Sequence, residues 1–209
     1  MDCLSAAEKG QYLGLLKWFH DESATNGLLY VLCGGTHLGA RREKGFIPWD
    51  YDADVSIRVE ELAKLFEIFV RVRESDELML STNFWLKNGF FKIGLREHPE
   101  IVLDIFVVAP DKHGVYRGIT ELTRKRWPKW TYSSAMEFTE RVLVPFESIN
   151  LYVPKTPKIL FDHYGEDCME NYVVHRLLEA KPGEDNWLKR ECIPFVNGEL
   201  KESDKWISY

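Results

Sequence analysis

Residues 101–108 read Ile-Val-Leu-Asp-Ile-Phe-Val-Val, an apolar run with a single charge, Asp104, inside it. Such a run reads as a strand buried in a sheet. An unpaired carboxylate buried there is costly, so Asp104 needs a partner. An arginine or backbone amides would supply one in a purely structural role. Where other acids gather nearby, a shared cation becomes the better explanation.

The rest of the chain surrounds that strand with alternating helical and extended patterns. Ser5 followed by Glu8 forms a capping box and predicts a helix closed by Gly27. Strands are expected at Leu28–Cys33, Asp52–Arg58, Leu78–Ser81 and Phe90–Leu95, with helices at Thr36–Lys44 and from Leu62 through Phe69. Residues 115–140 show no clear period. Val142–Val153 reads as one or two strands. Thr156 is expected to cap a helix running to His163, and a further helix is expected at Asn171–Glu179. The expected fold class is α/β (α+β), a mixed β-sheet flanked by helices. The expected organisation is one domain over 1–209: an N-terminal helix at about 5–27, a core at about 28–110 and a C-terminal part at about 111–209.

Asp50, Asp52 and Asp54 stand two apart. On a strand, i and i+2 share a face, ~6.6 Å apart along the backbone. Two carboxylates at 4 Å repel by about 4 kcal/mol at an effective dielectric near 20. Protonation, basic neighbours or a bound cation must offset that repulsion. A set of oxygen ligands suits Mg²⁺, Mn²⁺ or Ca²⁺ and not zinc. Just upstream, Gly34-Gly35-Thr36 joins a buried strand to a helix start, where backbone amides can hold a phosphate. Phosphate on amides beside a cation on carboxylates describes a phosphoryl-transfer site.

The stretch Gly34 to Ile57 resembles the LicD family of nucleotidyltransferase-fold proteins, which includes fukutin and fukutin-related protein. The shared pattern is Gly34-Gly35-Thr36, Leu38-Gly39-Ala40, Arg42, Lys44-Gly45-Phe46-Ile47-Pro48-Trp49-Asp50, then Asp52 and Asp54. Asp104-Ile105-Phe106 and the later Pro154, Leu160, Tyr164 and Gly165 continue it. His37 stands where the family usually carries an apolar residue, and Glu43 where His is common. The resemblance implies a nucleotidyltransferase-like fold. It also implies transfer of a phospho-alcohol, phosphocholine or a pentitol phosphate, from a CDP-linked donor to a sugar or glycan hydroxyl.

On that reading Asp52, Asp54 and Asp104 are the expected ligands of Mg²⁺ or Mn²⁺. Asp50 or Asp104 acts as base. Gly34, Gly35, Thr36, Arg42 and Lys44 receive the donor's phosphates. Lys92 is expected to face solvent, Trp49 to pack beneath the acidic loop, and Cys33 to be a core thiol. Arg124-Lys125-Arg126-Trp127-Pro128-Lys129-Trp130 reads as a surface loop with aromatic anchors.

The net charge of −6 argues against sequence-independent nucleic-acid binding. No apolar run approaches the ~20 residues of a membrane helix, and the polar N-terminus is no signal peptide. Four scattered cysteines fit reduced thiols, so the expected compartment is the cytoplasm, with a Golgi-type parent if the chain is a piece of a longer protein. Three rival readings stand beside this one. They are transfer of a nucleoside monophosphate from a triphosphate, a non-catalytic cation- or nucleotide-binding module, and an EF-hand-like calcium loop. The last counts Asp50, Asp52, Asp54 and Glu61 as positions 1, 3, 5 and 12, with Val55 where Gly is required.

Overall fold

Ser5 and Glu8 cap each other as the sequence predicts. The Ser5 hydroxyl accepts from the Glu8 amide at 3.2 Å, and the Glu8 carboxylate accepts from the Ser5 amide at 2.7 Å. Helix α1 (Ala6–Thr25) follows, and Gly27, in the left-handed region at φ 62°, ends it. The structure, a computed structural model, describes residues 4–48, 50–170, 172–177, 190–196 and 199–200. The expected place of Trp49 lies outside them. Among the described residues, no helix is long and apolar enough to cross a membrane.

The chain continues through β1 (Tyr30–Leu32), α2 (Gly34–Arg42), β2 (Ala53–Arg58), α3 (Leu62–Glu74), β3 (Leu78–Ser81), α4 (Trp85–Asn88), β4 (Phe90–Leu95) and β5 (Val102–Pro110). The strands form one mixed sheet in the order β1-β2-β5-β4-β3. Only the neighbours β2 and β5 run parallel, as the crossover through α3 requires; the other pairs are antiparallel. Two short strands extend the far end of β5: β6 (Tyr116–Gly118) pairs with it, and β7 (Thr131–Tyr132) pairs with β6.

Side chains alternate across this sheet. One face carries Val55, Ile57, Leu103, Ile105 and Ile93, buried under Tyr12, Leu16 and Phe19 of α1 and Leu65, Ile68 and Val72 of α3. Fully burying each such side chain contributes roughly 1.5–3 kcal/mol. The other face carries Val31, Cys33, Phe90, Phe106 and Val108, packed against Leu38, Trp130, Tyr132 and Phe138. Asp54, Asp104 and Lys92 belong to this second face.

Several details differ from the sequence expectation. Helix α2 begins at Gly34 rather than Thr36, and Gly34 makes the turn into it at φ 56°, a left-handed conformation open to a residue without a Cβ. Residues 115–140 hold, besides β6 and β7, two short helices, α5 (Glu121–Arg126) and α6 (Met136–Thr139), too short to carry a periodic signal. The hairpin β8 (Val142–Phe146) and β9 (Ile149–Val153) follows. Thr156 does not cap α7 (Lys158–Tyr164); Pro157 occupies the cap, having no N–H to satisfy there. The helix expected at Asn171–Glu179 is instead strand β10 (Tyr172–Leu177). Its partner β11 (Arg190–Val196) is antiparallel to it and in turn pairs with β12 (Glu199–Leu200). Tyr172, Val173 and Val174 favour extended backbone, and pairing with a distant segment completes the choice.

The calcium-loop reading is overturned by β2. Residues 53–58 lie hydrogen-bonded inside the sheet and cannot wrap an ion as an EF-hand loop does, and Glu61 is buried among its own partners.

Candidate active site

Parallel pairing sets Asp54 directly beside Asp104, and antiparallel pairing sets Lys92 on the other side of Asp104. The three side chains therefore form one row across three adjacent strands. Asp52, two residues before Asp54, leads into the same face. Asp50 lies one turn earlier, where its amide donates to the Ile47 carbonyl at 2.9 Å. Tyr12 of α1 holds this approach in place: its hydroxyl lies 3.0 Å from the Tyr51 carbonyl and 3.2 Å from that of Glu100.

The first turn of α2 is built around these acids. The Cys33 amide donates to the Asp54 carbonyl at 3.1 Å, and the Thr36 hydroxyl accepts from the Asp54 amide at 2.9 Å. A Cβ on Gly34 would meet Asp54 Oδ2 at 2.8 Å, and one on Gly35 would meet Asp50 Oδ2 at 2.2 Å. Two glycines thus clear the space the carboxylates fill, and Thr36 pins the backbone that carries one of them. The positive end of the helix faces these negative groups.

The electrostatics are lopsided. Loss of hydration, then Asp52, Asp104 and Asp50, push the Asp54 carboxyl well above the usual carboxylate range, with Lys92 acting in the other direction. Burial raises the Asp104 carboxyl to about 6 against the pull of Lys92. Lys92 is the feature the sequence reading misplaced. It is not turned to solvent: its Nζ donates to Asp104 Oδ1 at 2.6 Å and Oδ2 at 2.8 Å. A lysine between Phe91 and Ile93 carries a hint of burial, but only the strand register reveals its partner.

The remaining expected residues divide. Arg42 donates to Glu43 at 2.7 Å and to the Cys168 carbonyl at 2.8 Å, tying α2 to the segment after α7. Lys44 is exposed at φ 59° in a loop stitched to the β8–β9 turn. There the Glu147 amide donates to the Lys44 carbonyl at 2.7 Å, and the Glu147 carboxylate accepts from the Phe46 amide at 3.2 Å. A Cβ on Gly45 would lie 2.3 Å from that carboxylate, which gives the glycine a packing role. Cys33 is a core thiol, its pKa pushed well up by burial. The basic-aromatic segment begins in helix α5 rather than in a loop, but its aromatic anchor is as expected: Trp130 is buried against Phe106, their ring centres 4.9 Å apart, and Arg124 donates to the Gly118 and Ile119 carbonyls, both at 3.0 Å.

Asp52, Asp54 and Asp104 offer the hard oxygen donors that Mg²⁺ or Mn²⁺ takes, in a place short of positive charge, so the residues suit such an ion. Among the described residues, no three acid, His or Cys side chains already stand as a finished coordination shell. Lys92 covers both oxygens of Asp104 instead.

The family model described as "LicD/FKTN/FKRP, nucleotidyltransferase domain" matches residues 27–156. The chain belongs to the LicD family. The match takes in α2, the acidic row and the β8–β9 hairpin. Individual relatives agree with it. The "Ribitol 5-phosphate transferase FKRP" of Homo sapiens is 30% identical over 155 residues, 69% of this chain and 29% of that protein. Its Mus musculus counterpart is 30% identical over 123 residues, 57% of this chain and 23% of that protein. The "Lipopolysaccharide cholinephosphotransferase LicD" of Haemophilus influenzae is 40% identical over 57 residues, 27% of this chain and 22% of that protein. The matched part of the chain spans less than a third of the length of each of these relatives.

Proposed function

We propose that this protein is a metal-dependent transferase. It moves a phospho-alcohol, phosphocholine or a pentitol phosphate, from a CDP-linked donor to a sugar or glycan hydroxyl. The observation that supports this reading most is the in-register Asp54–Asp104 pair, approached by Asp52 and Asp50, in a LicD-family chain. The two head groups are those named for the relatives, ribitol 5-phosphate and phosphocholine. Asp52, Asp54 and Asp104 would hold Mg²⁺ or Mn²⁺, which when bound supplies charge neutralisation for the donor's phosphates and the departing nucleotide.

The protein's own groups do the remaining work. The first amides of α2, at Gly34, Gly35 and Thr36, receive phosphate oxygens at the positive end of the helix. Lys44, exposed on the following loop, adds a cation at the outer edge; Arg42 serves α2 and its neighbours instead. The acceptor hydroxyl attacks the distal phosphorus in line. A new P–O bond forms to the acceptor, the bond to the CMP oxygen breaks, and CMP leaves. Asp50 takes the hydroxyl proton, because Asp104 would be committed to the ion. Holding donor and acceptor in line supplies much of the rate.

A thermal-shift panel of CDP-choline, CDP-ribitol, CTP and ATP, with and without Mg²⁺, tests this reading when combined with an assay for CMP release. Mg²⁺-dependent stabilisation by a CDP-alcohol, with CMP formed on addition of a sugar acceptor, is expected. Stabilisation by a nucleoside triphosphate alone, with pyrophosphate released, would select nucleotidyl transfer instead. Stabilisation without turnover would select the non-catalytic module.

A further inference from the structure

Lys92 stands in the acidic row with two kinds of partner. In front are both oxygens of Asp104. To the side are two rings: Nζ lies 5.2 Å from the centre of Phe84 and 5.3 Å from that of Phe90. The rings stack on each other, 5.3 Å between centres and 14° between planes, so they form one wall. The Lys92 side chain is 22% exposed. A carboxylate and ring faces together fix an ammonium far more firmly than a surface ion pair does.

The placement has a consequence for any ion that joins the row. Asp104 accepts Lys92 on both oxygens, so a cation drawn to that carboxylate must share it or displace the lysine. A displaced Lys92 still faces the acidic row from the strand next to Asp104, where anionic phosphate arriving with the ion offers its ammonium a new partner.

We propose that Lys92 is a positioning residue of the transfer site: it holds the place beside Asp104 until a divalent ion claims that carboxylate, and its ammonium then serves the donor's phosphate. The proposal rests on the phospho-alcohol transfer reading above and adds a hand-over between an internal cation and an external one.

Amine acetylation of the unmodified protein, read at Lys92 by peptide mass spectrometry, tests the hand-over without any variant. In chelator Lys92 is expected to label slowly. With Mn²⁺ its labelling rises severalfold, and with Mn²⁺ and CDP-choline or CDP-ribitol it falls again. Thermal titration with Mn²⁺ supplies the second measurement. Lys92→Met lowers the half-saturating Mn²⁺ by on the order of tenfold, the size of one lost charge-assisted contact, while Lys92→Arg stays near the parent. If Mn²⁺ stabilises the protein but leaves Lys92 labelling unchanged, and Lys92→Met titrates like the parent, the hand-over is wrong and the transfer reading survives. If the parent protein shows no response to Mn²⁺ with any CDP-alcohol, the metal reading itself fails and the hand-over falls with it.

Discussion

Glu61 and Asp54 are both acids of the β2 region, seven residues apart, and their surroundings could hardly differ more. Glu61 is 3% exposed and completely provided for. Its Oε2 accepts from the Leu29 amide at 3.2 Å and from Lys64 at 2.9 Å; its Oε1 accepts from Arg58 at 2.7 Å. Burial pulls its pKa up, but Lys64, the Leu29 amide and Arg58 outweigh burial and hold it below the usual carboxylate value. The Asp54 carboxyl is driven high by loss of hydration and then by Asp52, Asp104 and Asp50, and Lys92 is the cation acting against them. Burial alone therefore does not distinguish a structural acid from a functional one. The balance of partners does. Glu61 joins β1 to the start of α3; Asp54 sits in a place short of positive charge that a ligand can supply.

The sharpest way to break the comparison is to neutralise each acid in turn. Asp54→Asn is expected to lower transfer by on the order of a thousandfold while leaving the melting temperature unchanged or raised, since one of several crowded charges is removed. CMP release and a melting curve on the same preparation check it. Glu61→Ala should do the reverse. It strands Arg58, Lys64 and the Leu29 amide, costs about 2–4 kcal/mol in denaturant unfolding, and leaves turnover per folded molecule intact.

The space behind the acids can be tested next. Gly35→Ala places a methyl where Asp50 Oδ2 now lies, and displacing that carboxylate is expected to lower turnover by about tenfold to a hundredfold with a small effect on unfolding. Turnover and unfolding measured side by side separate the two effects.

The smallest effect is in pH dependence. Asp104, at about 6 in the folded state, lies above its unfolded value near 4, so the native state binds the proton more tightly and stability falls as pH rises between those values. Glu61 is depressed, so its contribution is present above its unfolded value and is lost as pH falls through its folded one. In chelator, the parent protein should lose roughly a few degrees of melting temperature relative to Asp104→Asn between pH 4 and 6, and saturating Mg²⁺ should flatten that difference.

Much of this contrast was legible in the sequence. A lone acid in Ile101–Val108 announces a buried carboxylate in need of a partner. The bounds of β3 and β4 emerge as expected because turn residues and apolar runs mark them locally. What the sequence concealed depends on pairing across distance. Lys92 reaches Asp104 through strand register, and Arg42 is claimed by a carbonyl 126 residues away. Gly34 and Gly35 suggest room for phosphate; that they also clear room for the Asp54 and Asp50 carboxylates depends on pairing the sequence does not display. Tyr172–Leu177 was misread because its strand partner lies in another part of the chain.

The central claim is that the Asp54–Asp104 row, with Asp52, receives a divalent cation. Anomalous scattering from crystals soaked in Mn²⁺ addresses it most directly. A single strong peak in contact with carboxylate oxygens of Asp54 and Asp104, absent from Asp54→Asn crystals, is the expected result. A row without a peak, or an equal peak in the variant, would contradict the account.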